Sequence, residues 1–159
     1  MKRLFLLFLI SFSVQAALRT EHETNGFKSY TSLSSMHKYI LKLQKNHSPI
    51  MKWKSFGKSH EGRELKYAIL SRPMVNSYEE AIKLKKTIIV LGFNIHGDER
   101  TLRESILIYL RELVQSPLLK DLAILIVPTL NPDGLVRATR KNSLKVDMNR
   151  DYIKLEHKA

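Results

Sequence analysis

The sequence predicts an α/β fold, a β-sheet layered against helices. Two apolar runs and the stripe between them carry that prediction. Thr87 to Phe93 (TIIVLGF) and Leu122 to Val127 (LAILIV) are near-continuous and rich in β-branched residues, the pattern of strands covered on both faces. Between them Leu102, Ile106, Tyr109, Leu110 and Leu113 keep helical spacing. A buried strand, a helix and a second buried strand make a βαβ-type layer, in which ligands bind beyond the carboxyl ends of the strands.

The other elements follow in chain order. Met1 to Arg3 is a short basic start, Leu4 to Val14 an apolar run, and Val14-Gln15-Ala16 a small-residue cleavage pattern. Residues 1–16 therefore read as a secretory signal peptide, too short to span a bilayer, which takes about 20 residues. The expected location is secreted or periplasmic, with no membrane span once the signal is removed. Residues 17–29 are polar and read as a loose lead-in. Leu33, Met36, Ile40 and Leu43 mark a helix with Ser32 as its N-cap and Pro49 beyond its end. Met51 to Phe56 reads as a short strand, Gly57 to Arg63 as a turn, and alternating Leu65, Tyr67 and Ile69 as a half-buried strand. Glu79 to Lys86 reads as a short helix in a surface connection. Pro128 stops the last apolar run.

Composition narrows the chemistry. A chain of 159 residues suits one domain, and 43% hydrophobic with 26% charged residues excludes wholesale disorder. The chain has no Cys, which removes disulfides, thiolate metal sites and cysteine nucleophiles, and leaves six His as nitrogen ligands or bases. The net charge is +12, but the lysines are scattered without dense runs or interleaved aromatics. They read as a solvated surface, so no nucleic-acid partner is expected.

Two motifs sit just past the apolar strands. His96-Gly97-Asp98-Glu99 precedes the Leu102 helix. One turn aims the imidazole and the carboxylate at a common point, which suits Zn²⁺. A surface loop, with Asp98 capping the helix and Glu99 favoured by its dipole, fits the same spacing. Asn131-Pro132-Asp133-Gly134 follows the second strand, then Arg140-Lys141-Asn142 and Asp147-Met148-Asn149-Arg150-Asp151. Each piece alone reads as a turn or polar loop. Together they bring two arginines and an asparagine to strand ends, and arginine grips carboxylates bidentately and stabilises oxyanions.

In this order the pieces resemble the zinc carboxypeptidase family. Tyr30 with its following helix and the G-x-S-x-E-G-R turn at 57–63 extend the likeness over nearly all of residues 30–155. The resemblance implies a three-layer fold with a mixed, mostly parallel sheet flanked by helices, and a zinc-dependent hydrolase that removes the C-terminal residue of peptides. His96 and Glu99 would be two of three zinc ligands. Arg140 would steady the oxyanion. Asn149 and Arg150 would hold the free carboxylate of the substrate. His60 matches no ligand and reads as a surface residue.

Asp98 stands where digestive members carry arginine. His-Gly-Asp-Glu is more similar to a bacterial branch that trims cell-wall peptides, and to amidohydrolases that deacylate amino acids. The expected substrate is a cell-wall peptide; a deacylase or a non-catalytic carboxylate binder are the alternatives. The family's third ligand, a histidine, and its catalytic glutamate follow well after the Asn-Arg pair, and neither His157 nor Glu156 matches them. Residues 30–159 are thus expected to be the N-terminal part of a catalytic domain, inactive alone, with Thr87–Phe93 as an uncovered apolar edge. No partner chain is required by the sequence.

Overall fold

The computed structural model describes residues 18–151. The signal-peptide reading of 1–16 and the residues Glu156 and His157 lie outside them.

The polar lead-in is docked rather than loose. Thr20 caps helix α1 (Glu21–Thr24) through a reciprocal capping box with Glu23. The Glu23 carboxylate accepts two bonds from Arg111, at 2.9 and 3.0 Å, and Arg111 also donates to the Leu18 carbonyl. A polar segment can be fixed this way because bidentate arginine–carboxylate pairs supply geometry without apolar burial.

Helix α2 (Leu33–Asn46) starts at the Ser32 cap and turns Met36, Tyr39, Ile40 and Leu43 inward. Strands β1 (Met51–Lys58) and β2 (Glu64–Ser71) form an antiparallel hairpin. Helix α3 (Tyr78–Lys83) leads to β3 (Thr87–Gly92), α4 (Arg100–Leu113), a 3₁₀ turn (Pro117–Lys120) and β4 (Leu122–Val127). Two short helices, α5 (Pro132–Arg137) and α6 (Met148–Asp151), complete the described chain.

The sheet is mixed, with order β1-β2-β4-β3. β3 and β4 run parallel, as a crossover through α4 demands, while β2 pairs antiparallel with both β1 and β4. Parallel pairing brings the carboxyl ends of β3 and β4 to one edge, and both motif loops start there.

Helices α2 and α4 cover one face. Met36, Ile40, Ile106, Leu107 and Leu110 pack there with Leu70, Ile124 and Ile126, all essentially buried. The inward stripe of α4 runs through Arg103, Ile106, Leu107, Leu110 and Leu113, whereas Leu102 and Tyr109 are exposed. The expected stripe was rotated because tertiary contact, not spacing, selects the inward face. Leu110→Ala should cost about 3 kcal/mol in urea unfolding, the usual toll of a large buried cavity.

The opposite face is thinly covered. Ala81 of α3 and Val75 pack on Ile69 and Ala123. β3 is not buried on both faces: Val90 is 66% exposed, and among the described strands β3 pairs only with β4. Among the described residues no helix is long and apolar enough to cross a membrane.

Candidate active site

The β3–β4 ladder continues into the two loops. Phe93 N–H donates to the Val127 carbonyl and Leu130 N–H to the Phe93 carbonyl, both at 2.9 Å. Asn94 then takes a left-handed backbone (φ 52°), a conformation asparagine tolerates better than most residues. Its buried amide donates to the His96 carbonyl at 2.6 Å, and its Oδ1 accepts from the Thr129 hydroxyl at 3.2 Å. One asparagine thus shapes the His96 turn and ties it to the neighbouring loop.

Gly97 sits directly against the first turn of α5. A Cβ at this position would overlap the backbone of Gly134 and Leu135. The Asn131 side chain caps α5 by accepting from Gly134 N–H at 2.8 Å. The two motifs are therefore in backbone-to-backbone contact, and glycine is what permits it.

His96 is 3% exposed. Its Nδ1 lies 2.7 Å from Glu99 Oε1, and its Nε2 lies 3.0 Å from Asp147 Oδ1. Glu99 holds the N-cap position of α4 but makes no capping bond. The carboxylate turns to the imidazole instead, and Asp98, the residue expected to cap the helix, does not hold the N-cap position. Burial disfavours the charged ring, but the bonds to Glu99 and Asp147 outweigh it and raise the His96 pKa above its ordinary value.

Asp147 joins the remaining residues. Its Oδ2 accepts from Arg140 Nε at 2.9 Å and its Oδ1 from Asn149 N–H at 3.1 Å. Desolvation acts to raise its pKa, yet the bonds from His96 and Arg140 hold it below the usual aspartate range. Asn149 and Arg150 are exposed on α6, and Arg150 Nη1 donates to the Asn149 carbonyl at 3.2 Å. His96 and Arg140 thus meet on the Asp147 carboxylate, which the sequence reading left without a role, and Glu99 joins them only through the imidazole, on its other nitrogen. His60 is exposed, as expected.

A second carboxylate holds the loop in place. Asp133, 2% exposed, accepts from Ser59 Oγ at 2.7 Å, Arg63 Nη1 at 2.7 Å and Ser143 Oγ at 2.9 Å. Glu61 pairs in turn with Arg63 and Arg137. The 57–63 turn, closed at Gly62 (φ 78°), therefore serves as a bracket for α5 and the Arg140 loop.

The donor set fits zinc as far as it extends. An imidazole nitrogen and a carboxylate face each other across one turn, and the second ring nitrogen is held by a carboxylate, the usual support of a metal-bound histidine. The two ring nitrogens diverge, so Asp147 cannot share an ion with Glu99. Among the described residues no group of three or more His, Cys, Asp or Glu is placed to hold a metal. The described residues therefore offer two donors, where catalytic zinc takes three from protein. Beside Arg140 lies a concavity of about 650 Å³, lined in part by Arg137, Lys141 and Lys145.

Comparison with known proteins bears on the family and the fold. The family model described as zinc carboxypeptidase matches residues 36–158. "Probable carboxypeptidase 2" of Trichophyton verrucosum (strain HKI 0517) is 31% identical over 137 residues, covering 83% of this chain and 26% of that protein. "Carboxypeptidase SOL1" of Arabidopsis thaliana is 31% identical over 134 residues, covering 79% and 26%. The crystal structure of carboxypeptidase A from Helicoverpa armigera superposes with a TM-score of 0.61 at 26% identity, covering 72% of this chain and 29% of that one. A metallo-carboxypeptidase from Burkholderia cenocepacia reaches a TM-score of 0.65 at 18% identity, covering 78% and 33%, and shares the fold. The chain spans about a quarter of the length of the curated relatives it matches. Fold, paired His96 and Glu99, and a family match over most of the chain lead to one conclusion: the protein belongs to the zinc carboxypeptidase family.

Proposed function

We propose that this chain forms part of an exported zinc metallocarboxypeptidase that removes the terminal residue of peptides, with cell-wall peptides as substrate. The observation that carries this reading is the buried His96, facing Glu99 with one nitrogen and Asp147 with the other. His96 Nδ1 and the Glu99 carboxylate would hold the zinc. When bound, zinc supplies Lewis acidity toward the scissile carbonyl and a water that ionises near neutral pH.

This chain's own residues supply positioning. Asp147 holds Nε2 and fixes the ring orientation of His96, so that Nδ1 faces Glu99, where the metal would sit between them. Arg140 commits Nε to Asp147, which leaves its terminal nitrogens to a substrate oxyanion. Asn149 and Arg150 lie one short turn away to take the terminal carboxylate, and the lysines around the concavity favour an anionic substrate end. With two donors and no assigned general base among the described residues, the 159-residue chain alone is proposed to be inactive. The signal-peptide pattern at 1–16 supports export.

Because turnover is not expected, binding is the test. A peptide with a free terminal carboxylate should perturb amide resonances at 140–150, and its C-terminally amidated twin should not. Equal responses to both would overturn the carboxylate grip. Among free peptides, cell-wall sequences should bind more tightly than a generic peptide; no preference would remove the substrate proposal. Asp147→Asn should weaken Zn²⁺ binding about 10–100-fold in calorimetry while leaving circular dichroism unchanged.

A further inference from the structure

A second basic pocket lies between the starts of α2 and α4 and the flank of α5. It is a cavity of about 500 Å³, and Lys28, Tyr30, Arg100, Arg103, Leu135 and Val136 are among its lining residues. None of the zinc-site residues lines it.

Arg103 is the anomaly. It is 5% exposed, and its Nε has no hydrogen-bond partner. The nearest carboxylate oxygen, Glu104 Oε1, is 3.6 Å from Nε, too far for a hydrogen bond. Glu104 is already engaged: its two oxygens accept from Thr31 N–H and Thr31 Oγ1, each at 2.7 Å. Glu21 is likewise bound to the Ser32 amide and hydroxyl. A buried guanidinium without full compensation is costly, and burial pulls its pKa below the usual arginine range despite Glu104.

Position adds to the cost. Arg100 and Arg103 occupy the first turn of α4, where the helix dipole disfavours cations, and that turn holds no acidic residue. Arg100 lies 5.7 Å from the Tyr30 ring centroid, and Tyr30 stacks on His22 at 5.2 Å. The stack holds an exposed cation over the cavity. Three cations, one of them the buried and under-bonded Arg103, thus converge with a helix start on one space with an apolar wall.

We propose that this pocket binds a small-molecule oxyanion, a phosphate or carboxylate, on Arg103, Arg100 and Lys28. The apolar wall of Leu135 and Val136 accommodates the part of the ligand that carries the anionic group. None of the residues proposed to hold zinc or the substrate carboxylate contributes to this site.

The test titrates the full, metal-free chain with inorganic phosphate and, separately, with acetate, following amide resonances. Shifts at residues 28–33 and 100–104 that saturate with either anion are expected. Phosphate alone acting would place the ligand in the phosphate class; acetate acting as well would admit carboxylates. Arg100→Gln and Lys28→Gln, both at the cavity rim, should each weaken binding about tenfold. Arg103→Gln should abolish binding, and if it does not fold the rim variants decide. No saturable shift with either anion, shifts confined to 140–150, or unchanged affinity in both rim variants would overturn the site.

Discussion

Gly97→Ala is expected to cost about 3 kcal/mol or more, enough to leave little folded protein if the domain has ordinary stability. The added Cβ would fall on the backbone of Gly134 and Leu135 rather than on a side chain that could rotate away. Retreat of α5 is blocked as well. A Cβ built on Gly134 would come within 2.8 Å of the carbonyls of Thr139 and Lys141, so that turn is already hemmed in on its other flank. The clash must therefore separate the His96 loop from the α5 loop. Gly57→Ala is the control, because nothing lies within 4 Å of its added Cβ. It should change stability by less than about 0.5 kcal/mol. Urea unfolding of both variants reads the difference directly. A Gly97→Ala protein with the wild-type midpoint would mean that the two motifs are not in the contact described.

What could be read from the sequence and what could not divide along a physical line. Local signals were legible: the Ser32 cap and stripe of α2, the apolar runs of β3 and β4, and the His96–Glu99 pair separated by one turn. Each rests on neighbours within a few residues, where periodicity and capping act. Relations across the chain were not legible. Asp147 reaches His96 across 51 positions, and Glu104 reaches Thr31 across 73. No periodic pattern encodes such a bond. Lys86 is the sharpest case, since a lysine in a basic chain reads as surface. Its ammonium is instead buried and donates to the carbonyls of Arg72, Leu119 and Lys120 at 2.7 to 3.2 Å. Its three donors meet three acceptors, which is what makes burial tolerable. Likewise the apolar pattern of β3 says that it belongs in a sheet but cannot say which partners flank it. The one partial signal for Asp147 was its place immediately before Met148-Asn149-Arg150, at a strand-end cluster already rich in functional residue types.

Asp133→Asn is expected to cost about 3 kcal/mol at pH 7, with a pH signature that separates it from a packing defect. The Asp133 carboxylate takes hydrogen bonds from Ser59, Arg63 and Ser143, and Arg63 is also its ion-pair partner. An amide offers one acceptor oxygen and turns two donors toward groups that donate, so at least one buried bond is lost and Arg63 loses its counter-charge. Desolvation pushes the Asp133 pKa up, but the bonds from Ser59, Arg63 and Ser143 prevail and hold it below the ordinary aspartate range. A carboxyl depressed in the folded state contributes stability above its unfolded pKa, about 4, and loses it as the pH falls through that value toward the folded one. The variant lacks this contribution at every pH. The stability gap between wild type and Asp133→Asn should therefore be widest at neutral pH and narrow steadily between about pH 5 and pH 2. Because Ser143 belongs to the Arg140 loop, the same substitution should also weaken binding of a free-carboxylate peptide without touching any residue proposed to contact it. A gap that stays constant down to pH 2 would show that Asp133 acts by shape alone. An unchanged peptide affinity would show that Arg140 holds its place through Asp147 without the bracket at residues 57–63.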